Sequence, residues 1–241
     1  MRSYKRYTRR KRLLKHIVVV ALVFILGLVL LRAVSYMAIQ GEIPMINSFN
    51  LFRREADTSF GWNLILVNDD YRIPRNYEVE LTELSNGEKV DSRIYPQLQQ
   101  MFDDARTEGL ELFVREGYRT TQDQKNIMNE RIQKYQDEGY SRWEAKERAE
   151  EYVAEPGTSE HELGIAVDIN ADTSKCSADA VYTWLANNAY KYGFIKRYPD
   201  DKTEITGVNN EPWHYRYVGV DSAIEMQEKG LCLEEYIESL R

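Results

Sequence analysis

An α+β domain behind a basic, apolar leader is the architecture this sequence predicts, and three observations lead to it. Segments with apolar residues at helical spacing stand among short β-prone runs. The two kinds do not alternate regularly, which argues against a doubly wound parallel sheet. The first forty residues differ from the rest in both charge and hydropathy. A chain of 241 residues suffices to bury a core. With 29% charged and 43% hydrophobic residues, 13 Gly, 6 Pro and 2 Cys, collagen-like, low-complexity and cysteine-framework classes are excluded.

Residues 1–15, MRSYKRYTRRKRLLK, form a basic tail that runs into the uninterrupted apolar stretch from Ile17 to Leu31. Fifteen residues rise about 22 Å as a helix, short of a hydrocarbon core of about 30 Å. Extension through Ala33, Val34, Tyr36, Met37, Ala38 and Ile39 completes the span, with Arg32 snorkelling to the far interface. Residues 16–39 are therefore expected to form a single-pass transmembrane helix in the cell membrane, with the tail cytoplasmic and the chain beyond it extracellular. A cleaved signal peptide shares these features and is the rival reading; both export the rest of the chain. Residues 1–40 hold nine Lys and Arg and no acid, so the remaining 23 bases face 39 acids, a net −16. So acidic a body lacks the basic footprint that nucleic acid requires, and no protein partner is predicted. Cys176 and Cys232 are the only cysteines. An oxidising compartment permits one disulfide, but spacing does not decide between a bridge and two thiols.

Residues 40–60 show no sustained period and read as a juxtamembrane linker, so the domain is expected over 61–241. WNLILVN, from Trp62, is a compact β-prone run followed by a turn in NDDYRIPRNY. Ile94, Leu98, Met101, Phe102 and Ala105 fall on one helical face that Gly109 ends. LELFVREGYR reads as a strand entering a loop. Two helices follow between Thr120 and Glu155, the second opening with a Ser141/Glu144 capping box and closing before Pro156 and Gly157. GIAVDIN is a short strand. SADAVYTWLANNAYKYG is a helix with Val181, Trp184, Leu185 and Ala189 on one face and Gly193 at its end. In the strand EPWHYRYVG, Trp213, Tyr215 and Tyr217 alternate with His214, Arg216 and Val218, and read as core or pocket wall. The charged run RWEAKERAEEY reads as a solvated helix face.

Beyond His16 the chain keeps two histidines, His161 and His214. His161 lies in TSEHELGIAVDIN, seven residues before Asp168; His214 follows Glu211 by three in NNEPWHYRY. Two imidazoles and one carboxylate are the protein ligands of a catalytic zinc, which leaves a fourth position for water. A nearby carboxylate must still take the proton from that water, and Glu211 is placed to do so.

SEHELGIAVD, written SxHxxGxAxD, with EPWHYRYVG after it and EGYRTTQDQ before it, closely resembles the VanY-type D-alanyl-D-alanine carboxypeptidases, zinc peptidases of bacterial cell-wall metabolism. The resemblance runs from about Trp62 to Gly219. It implies an α+β domain in which a small antiparallel sheet, flanked by helices, carries the zinc site. By motif, His161, Asp168 and His214 match the Zn2+ ligands and Glu211 the catalytic base. Arg119 of GYR matches the residue that engages substrate and stabilises charge in the transition state, and Gln124 and Ser159 match substrate-binding positions. Glu116, where relatives commonly have Ser, and Asn210, where an aromatic is common, depart from the pattern beside the site. The implied activity is removal of the terminal D-alanine from peptidoglycan stem pentapeptides ending in D-Ala-D-Ala. Alternatives are an L,D-carboxypeptidase or endopeptidase on the same peptides, or a non-catalytic, membrane-tethered wall-binding module. Glu211 and a ligand set of only three argue against the module.

Overall fold

The computed structural model describes residues 53–241, together with Gly27 and Arg32. The expected anchor at 16–39 therefore lies outside the described residues but for those two; among the described residues no helix is long and apolar enough to cross a membrane. The compact unit runs from Arg53 to Arg241, so residues 53–60, read from the sequence as linker, are tied into the domain. Strand β1 (Arg54–Glu55) pairs in parallel with β2 (Tyr71–Arg72), Ala56 is buried, and Arg53 donates to Glu155 at 2.8 Å. Backbone pairing and an ion pair fix this stretch, and neither leaves a hydrophobic period in the sequence.

WNLILVN does not form the expected strand. Trp62–Leu64 is a 3-10 turn, after which Ile65 and Val67 insert into the core. The carbonyls of Asn63 and Ile65 accept from the buried Arg216 guanidinium at 3.1 and 2.8 Å instead of from a strand neighbour. A hairpin of β3 (Leu81–Glu83) and β4 (Lys89–Asp91) follows.

Helix α1 (Tyr95–Thr107) matches the expected apolar face, burying Leu98, Met101, Phe102 and Ala105. Strand β5 (Leu112–Glu116) leads to α2 (Thr121–Asp137) and α3 (Arg142–Glu150), opened by Thr120/Asp123 and Ser141/Glu144 capping boxes. Strand β6 (Ala166–Ala171), helix α4 (Ala178–Asn188) and β7 (Phe194–Lys196) come next. A single turn, α5 (Thr203–Thr206), precedes β8 (His214–Tyr217). Helices α6 (Val220–Lys229) and α7 (Leu233–Ser239) close the chain.

The expected small antiparallel sheet is present, in the order β5-β6-β8-β7. Val114, Val167, Ile169, Tyr215 and Tyr217 join Leu98, Met101 and Phe102 of α1 and Val181 and Leu185 of α4 in the main core. Burying each large apolar side chain there contributes about 1.5–3 kcal/mol. Helices α6 and α7 form a second cluster with Leu64, Ile195 and Val218, while α2 and α3 pack through Met128 and Ala149, joined by Val153 just beyond α3. Cys176 sits against the main core and Cys232 is buried at the N-terminal cap of α7, both as free thiols. Burial pushes the Cys232 thiol up to about 11, leaving it unreactive.

Candidate metal centre

The alternation of β6 sets the site. Val167, Ile169 and Ala171 enter the core, so Asp168 projects from the opposite face. Register places Asp168 directly across from His214 on β8 and from Glu116 on β5. Cross-strand partners share a face, and two residues 46 positions apart in sequence thus become neighbours.

His161 arrives on the 3-10 turn Glu160–Leu163 that immediately precedes β6. Gly164 ends this turn with φ +74°, and a Cβ there would lie 3.1 Å from Val79 and 3.3 Å from the Asp91 amide nitrogen, so both conformation and space call for glycine. Gly117 meets a harder limit, since a Cβ would stand 2.2 Å from the Lys89 carbonyl oxygen. The close approach lets the Gly117 carbonyl reach Nδ1 of His161 at 2.8 Å. A carbonyl only accepts, so the proton resides on Nδ1 and the Nε2 lone pair is free.

Three acceptor atoms converge. Asp168 Oδ1 lies 3.4 Å from His161 Nε2 and 3.1 Å from His214 Nδ1, and the ligand atoms of the trio all fall within 4.8 Å of one another. Oδ1 of Asp168 is buried without a hydrogen-bond partner among the described residues, a costly arrangement unless a cation completes it. Tetrahedral zinc with bonds of about 2.0–2.1 Å separates its ligand atoms by about 3.3 Å, close to the two spacings observed. The donor set and its geometry fit zinc.

The ionisation of the trio follows from its neighbours. Burial, with the Arg119 charge adding to it, holds His161 below its ordinary value. Burial also opposes charge on His214, but its contacts with Asp168 and Glu160, and the Asp168 and Glu211 charges, outweigh it and take the ring to about 9. Asp168, despite burial, is held far below the carboxylate range by the two imidazoles.

Glu211 stands at the entry to β8. Its amide donates to the Tyr198 carbonyl at 3.1 Å and its carbonyl accepts from the His214 amide at 3.3 Å. Its carboxylate lies 3.7 Å from His214 Nδ1. Burial raises this carboxyl and the Asp168 charge adds to the rise, against the pull of His214 and Arg119. A carboxylate so poised is a candidate general base.

Arg119 follows Gly117 around the same loop. Its amide donates to the His161 carbonyl at 3.2 Å. Its guanidinium donates to Glu116 at 3.0 Å and to Gln124 at 3.2 Å and approaches Asp168 at 4.0 Å. Gln124 is buried and anchored in turn by donating to the Ala154 carbonyl at 2.7 Å. The structure thus places Gln124 as a brace for Arg119. Ser159 is buried two residues before His161, at the start of the 3-10 turn. The sequence-predicted residues His161, Asp168, His214, Glu211, Arg119 and Gln124 are linked by these contacts, with Ser159 adjoining them along the chain.

Sequence reasoning missed Glu160, Arg197 and Arg216, which lie fully buried behind His214. One signal was available: Arg216 stands two residues beyond His214 on a strand, in phase with it, where an apolar residue would be ordinary. Trp213 is partly exposed, whereas Tyr215 and Tyr217 are core.

Comparison with known proteins places the site in context. A family model described as VanY, D-alanyl-D-alanine carboxypeptidase, matches residues 87–220. A D-alanyl-D-alanine carboxypeptidase of Enterococcus faecalis (strain ATCC 700802 / V583) is 53% identical over 196 residues, covering 81% of this chain and 73% of that one. Similar solved structures include the following two. One is a mutant of the vancomycin resistance D,D-pentapeptidase VanY from a VanB-type resistance cassette in complex with Zn(II). Its TM-score is 0.71 at 57% identity, covering 73% of this chain and 99% of that chain. The other is VanYB in complex with D-alanine-D-alanine, with a TM-score of 0.73 at 56% identity, covering 75% and 99%.

Proposed function

The chain belongs to the VanY family of D-alanyl-D-alanine carboxypeptidases, and from that premise we propose that it trims the terminal D-alanine from peptidoglycan stem pentapeptides outside the cell. It is a zinc D,D-carboxypeptidase, a metallopeptidase of the hydrolase class. The observation that carries the reading is the Glu211 carboxylate at 3.7 Å from the His214 nitrogen that also faces Asp168.

His161, Asp168 and His214 would hold the ion. When bound, zinc supplies a Lewis acid that makes a water nucleophilic near neutral pH and polarises the scissile carbonyl. Glu211 accepts the proton of the attacking water and returns it to the departing D-alanine amine. Its elevated pKa suits both roles, because a base that must later act as an acid works best near the operating pH. Arg119, braced by Glu116 and Gln124, presents a planar cation to the substrate carboxylate or to the developing oxyanion. No side chain forms a covalent intermediate in this scheme, so β-lactams that act by acylating a serine have no target in it.

The proposed setting is extracellular, with residues 16–39 as a single membrane anchor and residues 1–15 in the cytoplasm. What supports it is the run of basic residues ahead of the apolar stretch. Recognition of the wall is local to the cleft, since the acidic body offers anionic wall polymers no general attraction.

The test is product analysis. The zinc-loaded protein is incubated separately with a stem pentapeptide ending in D-Ala-D-Ala and with the tetrapeptide, and products are read by mass spectrometry. Loss of one alanine from the pentapeptide alone is the expected result. Cleavage of the tetrapeptide instead would transfer the enzyme to the L,D class.

A further inference from the structure

Behind His214, on the side away from Asp168, lies a charged assembly that the mechanism above does not use. Nε2 of His214 faces Oε2 of Glu160 at 3.5 Å. Both atoms are buried, and neither has a hydrogen-bond partner among the described residues. The other oxygen of Glu160, Oε1, accepts from Arg197 Nε and from Arg216 Nη1, each at 2.8 Å. Arg197 then forks onto Glu234 of α7 with two bonds, 2.9 and 2.6 Å. Arg216 spends its remaining donors on the carbonyls of Tyr217, Asn63 and Ile65. The side chains of Glu160, Arg197 and Arg216 are at most 1% exposed.

Two buried guanidiniums and two carboxylates are an expensive way to fill a core, because a packed apolar cluster of similar volume is often as stable or more so. Such a cluster would leave His214 with nothing behind it. An imidazole that ligates through one nitrogen almost always donates its other N–H to a fixed acceptor, which sets its tautomer and strengthens it as a ligand. His161 obtains that acceptor from the Gly117 carbonyl. A carboxylate oxygen of Glu160 faces the corresponding nitrogen of His214. The two guanidiniums saturate Oε1 and pin the Glu160 side chain so that Oε2 is the oxygen presented.

We propose that Glu160 is the positioning residue for His214, keeping the proton on Nε2 and the Nδ1 lone pair directed into the site. We further propose that Arg197 and Glu234 extend this clamp to the C-terminal helix, so that docking of α7 and the strength of a ligand are coupled. Glu160 touches neither substrate nor the reacting atoms and acts through His214. The proposal rests on the zinc reading of the site.

Glu160→Gln tests it, since the amide can keep an oxygen on the two arginines but loses the carboxylate behind His214. The readouts, made on the full chain, are zinc affinity of the apo-protein by competition with a chromogenic chelator, the visible spectrum of the cobalt(II) form, and thermal stability without metal. The expected result is zinc affinity lowered about 10–100-fold with an altered cobalt spectrum. Glu234→Gln should shift affinity the same way by a few-fold. A Glu160→Gln protein that melts lower yet keeps wild-type zinc affinity and cobalt spectrum would overturn the proposal, leaving Glu160 as packing for the arginines alone. Wild-type affinity in Glu234→Gln would overturn the extension to α7. Should Glu160→Gln fail to fold, nitrogen-15 spectra of the unsubstituted, zinc-loaded protein decide. They should show His214 protonated at Nε2, and an unprotonated Nε2 refutes the assignment. An unsubstituted protein that binds no zinc would instead sink the zinc reading itself, a distinguishable failure.

Discussion

Nδ1 of His214 is shared between two carboxylates, with Asp168 at 3.1 Å and Glu211 at 3.7 Å. The nearer one belongs to the facing strand and completes the donor trio; the farther one enters from the turn before β8 and stands outside it. Replacing Glu211 by Gln preserves shape and the trio but removes the proposed proton acceptor. The expected outcome is stoichiometric zinc by elemental analysis with turnover reduced about 10²–10⁴-fold. Full activity in that variant would rule Glu211 out as the base. His161→Ala, by contrast, should lower zinc content itself, and unchanged stoichiometric zinc would count against it as a ligand.

The role proposed for Arg119 depends on a geometry that charge alone does not reproduce. Its Nε is held by Glu116 and its Nη1 by Gln124, which fixes the guanidinium plane. Lys in its place keeps the charge and loses the fork. Arg119→Lys should therefore lower kcat/KM on D-Ala-D-Ala peptides by about 10²-fold or more while zinc content stays at one per chain. Gln124→Ala should give a smaller loss in the same direction, because Arg119 keeps Glu116. A Gln124→Ala enzyme worse than Arg119→Lys would mean that Gln124 itself contacts substrate.

Gly117 offers a sharper structural test. The Lys89 carbonyl that a Cβ would meet at 2.2 Å is backbone, held in the β3/β4 hairpin and itself accepting from the Tyr118 amide. It cannot swing aside as a side-chain tip would. Gly117→Ala should therefore displace the loop, withdraw the carbonyl that fixes His161 Nδ1, and lower both melting temperature and zinc affinity. Wild-type values for both would show that the hairpin yields at no cost.

The candidate trio His161, Asp168 and His214, and Glu211 beside it, stood out in the sequence because their chemistry is rare in it: two histidines beyond residue 16, each in a distinctive context. The sequence revealed the helices because Leu98, Met101, Phe102 and Ala105, or Val181 and Leu185, repeat with the helical period. WNLILVN misled, since a compact apolar run is compatible with any buried extended segment. What decided its form was a guanidinium 153 residues away, Arg216 on the Asn63 carbonyl. Residues 53–60 were misread for a related reason, as backbone pairing and the Arg53–Glu155 contact carry no periodicity. The assembly behind His214 was hidden because Glu160, Arg197 and Glu234 meet only in the folded chain. A charged residue looks solvated in a sequence until its partners are known.

The Glu155 carboxylate gives the domain an acid-sensitive tie. Its side chain is 7% exposed and accepts from Arg53 at 2.8 Å and Lys146 at 2.6 Å. Burial alone would raise its pKa, but hydrogen bonds from Glu150 and Lys146 and the charges of Lys146 and Arg53 outweigh it and bring it down to about 2. In the unfolded chain the same carboxyl returns to about 4.3. A group depressed in the folded state contributes stability that is full above its unfolded pKa and is lost as pH falls toward the folded one. The tie should thus weaken between about pH 5 and pH 2. Glu150 beside it is pushed up by burial and by its contact with Glu155; it works in the opposite sense and makes the net slope shallower. Urea unfolding at pH 7, 5, 4 and 3 should show wild type losing stability faster than Glu155→Gln over the acid range, with the two curves converging as pH falls. Curves that stay parallel from pH 7 to pH 3 would mean that Glu155 titrates alike in the folded and unfolded chains and that the contacts with Arg53 and Lys146 add nothing in solution.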